Sequence, residues 1–501
     1  MTRRGAPIGQ AWLIEQLKLR AIAPAHTSYV VRAVRRTEVD DGRTTELYPK
    51  HYATDPDPVS NLKFALKHEP FDLGVIVAAL KAIGPRPIEE WIRAEPTGAF
   101  ARRTWFLYET LLGTTIDVEG ATTGGYTDAL DDERHCVARP KRSSRHRVND
   151  NLLGGPGFCP TVRKTERLAT QMGARVDEEA RELIESYDPL LLARAVNYLY
   201  TKETKSSYAL EREIPDDKRA ERFVAALRAA TSFDPTSKQD LIALQGAIVE
   251  PRYAARDWRD FQNFVGETAG GYRHAVHYVC PRPSDVPSLM DAWMKLTKRI
   301  VDPAVDPVVA AAVASFAFVF VHPFEDGNGR LHRFLIHHVL AKRDFSPHDV
   351  IFPVSASILR DRKAYDVVLE SFSKPLGALV DWRWAPNEEI VVESDSADLY
   401  RYFDATRFAE YLYDRVTDTV RRDLKEELGF VALYDSALAE VKAVLDMPDK
   451  KASLFVRVVL ENNGKLAKAK RARHFAELSD DEVANLEGAV QRAVKAAEPE
   501  T

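Results

Sequence analysis

Fifteen consecutive residues, Pro307–Val321 (PVVAAAVASFAFVFV), carry no charge and a single hydroxyl. Asp306 before them suits a helix N-cap and Pro307 the first helical position, so the segment predicts a helix that starts there. A helix apolar on every face cannot lie on a surface; other elements must surround it. At 1.5 Å per residue it is about 22 Å long, short of the roughly 30 Å of a bilayer's hydrocarbon. It therefore predicts the centre of a helical core, and the residues directly after it are held by that core.

Those residues are HPFEDGNGRLHR, 322–333. Pro323 disfavours helical conformation in the residue before it, so the helix should end at His322. Gly327 and Gly329 permit positive φ and close approach to the backbone. Helical periodicity resumes from Arg330 to Leu340, so the stretch reads helix, tight loop, helix N-terminus. Free N–H groups at such an N-terminus, with the helix dipole behind them, attract anions. Arg330 and Arg333 share a face of the new helix, and planar guanidinium forks suit phosphate oxygens. Asp326 is a hard oxygen ligand able to hold Mg2+ against a diphosphate. A neutral imidazole at His322 can take a proton from a hydroxyl near pH 7. Base, carboxylate, backbone cradle and cationic clamp together describe chemistry at a phosphate. No Lys-Ser/Thr pair comes after the glycines, which excludes a P-loop.

A formal net charge of −5 over 501 residues excludes the whole molecule as an electrostatic nucleic-acid binder. Three cysteines (Cys136, Cys159, Cys280) at unrelated spacings exclude a disulfide framework and suit a reducing compartment. No apolar leader comes after MTRRGAPIGQ, so a cytoplasmic protein without membrane attachment is expected.

The length allows several domains. Residues 1–170 mix short strand-like runs with helical ones and read as an α+β domain. Its end, RHCVARPKRSSRHRVNDNLLGGPGFCP, is basic and then rich in Gly and Pro, the pattern of a long surface loop. Residues 171–235 are helical, with one periodic run from Val176 to Glu213 closed by Pro215. A core domain is expected over 236–380, then a connector, DWRWAPNEEIVVESDSAD. Residues 397–501 read as a helical C-terminal domain with Ser479 and Glu482 as a capping box. The basic run KLAKAKRARH there is read as a solvated face in preference to a helix-turn-helix that meets nucleic acid through 451–497.

HPFEDGNGRLHR resembles the Fic family signature, HPFx(D/E)GNGRxxR, at every defined position. Doc-type relatives, which phosphorylate, resemble it but carry lysine where this chain has Gly329, so the glycine favours nucleotidyl transfer. The resemblance covers about 240–375. It implies a mostly α fold whose Fic-type helical core carries a short β-hairpin flap. It also implies a protein adenylyltransferase that moves AMP from ATP to a Ser, Thr or Tyr hydroxyl and releases pyrophosphate. On that footing His322 is the general base, Asp326 the Mg2+ ligand, and Gly327, Asn328 and Gly329 the anion hole. Arg330 and Arg333 hold the β- and γ-phosphates, and Phe324 anchors the loop. The family's flap clamps the target segment by strand addition. AVHYVCPRPSDV places it at about 275–286, with Tyr278, Val279 and Cys280 as docking residues. Expected partners are a protein bearing a hydroxyl side chain, the chain itself in self-AMPylation, and a second copy in a homodimer.

Many Fic enzymes carry an inhibitory helix, (S/T)xxxE(G/N), whose glutamate pairs with the second arginine of the motif and displaces the γ-phosphate. Two stretches compete for that role. TIDVEG, Thr115–Gly120, matches every letter but begins with β-branched residues and runs into ATTGGY. SYALER, Ser207–Arg212, ends in arginine instead of Gly or Asn, yet lies in a helical pattern just upstream of the core. Glu211 is preferred to Glu119. Two rivals to adenylyl transfer stand: a nucleotide-sensing regulator that binds nucleic acid, and the same site using another nucleotide or removing AMP. The intact His322 favours an enzyme.

Overall fold

In a computed structural model of the chain, describing residues 5–121, 123–269, 273–386 and 389–497, the apolar segment is one helix, Pro307–Val321. The Asp306 carboxylate caps it, accepting from the N–H groups of Val308 (2.9 Å) and Val309 (3.0 Å). Of its 15 residues 13 are buried. Helix Val286–Ile300 lies against it and fixes its register through Trp293, whose Nε1–H donates to the Ala314 carbonyl at 2.9 Å. Phe316, Phe318 and Phe320 are buried, and each contributes about 2–3 kcal/mol relative to exposure. The helix stops at His322, which turns left-handed (φ 52°) ahead of Pro323.

The chain divides into two compact units. The first holds Met1–Arg175, Thr204–His348 and Val354–Val416. Residues 1–170 fall in the same compact unit as the central helix. The reason is a shared interior: Tyr402 lies in the same apolar cluster as Leu80, Trp105 and Cys159, and the Arg163–Asp404 ion pair (2.8 Å) ties the two stretches. This N-terminal part has a four-stranded sheet in the order Ala6–Ile8, His26–Val31, Arg43–Pro49, Arg36–Asp40. Its middle pair is parallel and the outer pairs antiparallel.

Three expectations change here. The stretch 134–160 is not a surface loop. It carries strands Lys141–Ser143 and Val148–Asp150 and buries Val148, Leu152, Leu153 and Cys159. Two of its basic residues, Arg145 and His146, meet Glu109, at 2.9 and 2.8 Å. The run from Val176 to Glu213 is two helices, Val176–Glu185 and Pro189–Leu210. Asp188 begins the second by accepting from the Leu190 N–H (2.9 Å), with Pro189 as its first residue. The connector after 380 contains an antiparallel ribbon, Trp382–Trp384 with Ile390–Val392.

The second unit comprises Val176–Glu203, Asp349–Pro353 and Thr417–Thr501. Helices Lys425–Val444, Asp449–Glu461 and Asp480–Ala497 close over Phe455, Val459, Leu486 and Val490. Ser479 and Glu482 form the reciprocal capping box, at 2.8 and 3.2 Å. Within the basic helix Lys468–His474, Arg471 pairs with Asp480 at 2.5 Å. Among the described residues no helix is long and apolar enough to cross a membrane.

Candidate active site

His322 sits where the central helix ends, half-buried, with Nδ1 3.1 Å from the Val319 carbonyl. A carbonyl only accepts, so Nδ1 carries the proton of the neutral ring and Nε2 keeps its lone pair. Burial lowers this imidazole to about 4, the Arg259 charge adds to that, and Glu211 and Asp326 oppose it. The ring is therefore neutral at pH 7, the form able to accept a proton.

The loop from Phe324 to Asn328 is closed by one amide. Asn328 Nδ2 donates to the Phe324 carbonyl (2.8 Å), and the Phe324 N–H donates to Asn328 Oδ1 (3.0 Å). The Asn328 side chain is thus engaged in the loop, and its offer to an anion is its backbone N–H. Phe324 is fully buried against Trp258, ring centres 5.2 Å apart. Gly327 has φ 88°, and a Cβ there would fall 2.8 Å from Val249 Cγ1. The helix Asn328–Lys342 begins here. Its first N–H groups lack intrahelical acceptors, and the positive end of its dipole faces the loop.

Arg330 and Arg333 are both 1% exposed as side chains, yet neither is free. Arg333 Nη2 donates to Glu211 Oε1 at 2.9 Å and to the Ser207 carbonyl at 2.7 Å, and Nε donates to Ser207 Oγ at 2.9 Å. Arg330 Nη1 donates to Glu213 Oε2 at 3.0 Å, and Nη2 to Asp326 Oδ1 at 2.7 Å. Burial pushes the Glu211 carboxyl up, but Arg333, Arg330 and His322 outweigh it and hold the group below the usual carboxylate range. Glu211 and Glu213 stand on the turn that ends helix Pro189–Leu210. Between them Arg212 takes φ 59°. A left-handed residue at this place accounts physically for the Gly or Asn of the inhibitory pattern. A Cβ on Gly329 would collide with Glu211 Oε1, so the carboxylate fills the space over the first turn of the motif helix.

The Fic/DOC family model matches residues 235–340. That segment is similar to a Fic domain. It is 46% identical over 136 residues to "Protein adenylyltransferase fic-1" of Caenorhabditis elegans, covering 26% of this chain and 24% of that protein. It is 37% identical over 87 residues to "Protein adenylyltransferase Fic" of Nematostella vectensis, covering 16% and 19%. The chain thus spans about a quarter or less of the length of these curated relatives. A solved Fic family protein from Desulfovibrio desulfuricans G20 superposes with a TM-score of 0.38 at 20% identity, over 54% of this chain and 79% of that one.

Around the Fic motif lies an antiparallel hairpin, Phe264–Ala269 with Arg273–Val279. It starts and ends earlier than the expected 275–286, because Pro281 and Pro283 terminate pairing and lead into a short 3-10 turn before Val286. Tyr278, Val279 and Cys280 are 8%, 3% and 0% exposed. The Tyr278 hydroxyl donates to the Phe320 carbonyl. Their side chains lie at the hairpin's buried root. Among the hairpin's described residues, the exposed side chains are Val265, Glu267, Ala275 and His277. Glu119 is exposed on an irregular segment and pairs with neither motif arginine.

Two residues escaped the sequence reading. Glu213 was legible as a second acid two places beyond Glu211. Arg259 had no signal, because its partners are backbone carbonyls. A cavity of about 690 Å3 elsewhere in the first unit, lined by Leu17, Arg43, Asp72, Arg163, Phe372 and Tyr402 among others, includes no residue of the Fic motif.

Proposed function

We propose that this chain moves AMP from ATP to a Ser, Thr or Tyr hydroxyl of a protein. The observation that carries this reading is His322: a neutral ring fixed through Nδ1, with Nε2 open beside a helix N-terminus and two buried guanidinium groups. The hydroxyl oxygen attacks the α-phosphorus and its proton passes to His322 Nε2. The bond from the α-phosphorus to the bridging oxygen breaks, and pyrophosphate leaves. Arg330 and Arg333 hold the β- and γ-phosphates, and the backbone N–H groups of Gly327, Asn328 and Gly329 receive phosphate oxygens.

Asp326 is the residue to hold Mg2+. Its side chain is 40% exposed, and its Oδ1 takes both Arg330 and the Gly327 N–H (2.6 Å), leaving Oδ2 for a cation. Among the described residues no cluster of three or more ligating side chains exists. A single carboxylate fits magnesium that draws its other ligands from phosphate and water. Bound there, the ion would neutralise charge on the phosphates.

The resting state is braked. Glu211 and Glu213 occupy Arg333 and Arg330, so two carboxylates compete with two phosphates for the same forks. The brake opens when the turn carrying both glutamates withdraws. We place the protein in the cytoplasm on the strength of three buried, unpaired cysteines. Self-AMPylation and a homodimer are compatible states.

The test is label transfer from α-32P-ATP, and separately γ-32P-ATP, with Mg2+ and a cell lysate. Protein-bound α-label that rises in Glu211→Gly and disappears in Glu211→Gly/His322→Ala supports the reading. γ-Label alone means a kinase. No label in any variant that still binds ATP sinks adenylyl transfer; another nucleotide is then tried.

A further inference from the structure

Arg259 is buried (5% exposed) and forms no salt bridge with any described residue. Its guanidinium instead donates to backbone carbonyls on two elements. Nε meets the His322 carbonyl at 2.7 Å, and Nη2 meets that of Pro281 at 2.7 Å. Nη1 meets Phe261 at 2.8 Å, and the Arg259 backbone N–H donates to Pro323 at 2.8 Å. His322 and Pro323 are the turn that carries the base. Phe261 and Pro281 flank the two strands of the hairpin at its root. One planar cation therefore joins the backbone under the imidazole to the backbone under the flap. Such a fork has a geometry that lysine does not reproduce.

We propose that Arg259 is a positioning residue: it fixes the left-handed turn that presents His322 and sets the distance from that base to the strand edge on which the target segment lies. This rests on the adenylyl-transfer reading above. A hydroxyl delivered by a strand added to the hairpin reaches Nε2 only if hairpin and base share one frame, and misplacement by about 1 Å costs roughly a hundredfold. Arg259 also stands at the carbonyl end of the central helix, where positive charge is favoured. The charged groups that act on the His322 ring are Arg259, Glu211 and Asp326. Removing the cation leaves the two carboxylates, or Asp326 alone in a Glu211→Gly chain, and the imidazole then takes a proton more readily.

The experiment uses the full chain carrying Glu211→Gly, with Arg259→Gln and Arg259→Lys added separately. Transfer of α-label to lysate protein is followed from pH 5 to 9, ATP affinity by calorimetry, and the His322 ring by NMR titration. Arg259→Gln should cut the transfer rate at least tenfold at saturating ATP while ATP affinity moves less than threefold. The acid-side midpoint of both transfer and ring titration should rise by about one pH unit. Arg259→Lys should lose rate comparably with the midpoint close to the parent's. The proposal is overturned if Arg259→Gln keeps its rate within threefold, or if its rate falls only with the folded fraction seen by circular dichroism. If Arg259→Gln does not fold, Arg259→Lys decides, and parental rate in that variant overturns the proposal. No label in the Glu211→Gly parent sinks adenylyl transfer instead, and the ring titration alone then tests Arg259.

Discussion

Three arginines surround the HPFEDGNGR loop, all buried, and they divide by what they touch. Arg330 and Arg333 meet carboxylates on a helix-ending turn, Glu213 and Glu211, whose side chains are 35% and 36% exposed. Arg259 meets only carbonyls of the chain itself. A carboxylate on a partly solvated turn can swing away and leave its guanidinium to a phosphate. A carbonyl inside the fold cannot move off without taking the backbone with it. Equal burial thus conceals two settings of one side chain: cations paired with carboxylates on a partly solvated turn on one flank of His322, and a cation riveted to backbone carbonyls on the other.

The comparison breaks most readily by truncation. Arg259→Met should lower unfolding free energy by about 3 kcal/mol or more, since several buried carbonyls lose their donor at once. Glu211→Gly should cost less, about 1–2 kcal/mol, because Arg333 keeps its bonds to the Ser207 hydroxyl and carbonyl. Urea unfolding of the two variants side by side measures the contrast; similar losses would erase the distinction.

Acidification tests the site's setting. Burial lowers His26, His68, His135 and His322 to about 4 and His332 to about 3. The unfolded chain, with histidines near 6.5, binds those protons more readily, so this stability is present above about 6.5 and lost as pH falls towards 4. Glu69 and Asp72, raised to about 7 by burial, act in the opposite sense over the same window. Five histidines against two acids give a net loss. The urea midpoint should fall from pH 7 to pH 4.5, and a flat or rising midpoint would contradict the assignment.

On the switchable flank, Glu213→Gln added to Glu211→Gly should raise α-label transfer about threefold over the single variant, as Arg330 loses its second carboxylate. Equal rates would make Glu213 a bystander. The smallest expected effect is at Arg212. Its φ of 59° strains a side chain that glycine would relieve, so Arg212→Gly should stabilise by about 0.5–1 kcal/mol. Its lost contact, an exposed pair with Glu267 at 3.4 Å, weighs little against that. On the proposed brake the gain falls in the inhibited state, so melting temperature should rise and basal transfer should fall.

How much of this was legible in the sequence tracks the same division. The central helix and the loop after it were readable because their signals are local: an N-cap, a proline, two glycines, two arginines one turn apart. The Glu211 pairing was readable as a pattern although Arg212 departs from it, since the left-handed turn tolerates arginine at modest strain. The hairpin's position slipped because alternation in AVHYVC continues past the point where proline ends pairing. Val176–Glu213 was read as unbroken because periodicity outweighed the Asp188–Pro189 start signal. Part of the basic stretch 134–160 is buried, with Arg145 and His146 meeting Glu109, a partner 36 residues away from Arg145 in sequence. Arg259 was beyond reach for a simpler reason. Carbonyls are the same in every residue, so contacts to them leave no letter to read.

The two glycines of the loop differ in what a random coding change would do to an organism that depended on this protein. Any side chain at Gly327 meets both a forbidden backbone angle and the wall formed by Val249, so the loop itself deforms. At Gly329 the backbone is ordinary helix, and the obstruction is the tip of Glu211, a flexible carboxylate in the path of the new carbon. One glycine is a point where a mutation silences the protein. At the other, two places on, a new side chain is expected to spare the backbone while it displaces the Glu211 carboxylate and crowds Arg333, so the ion pair and the proposed phosphate site change together.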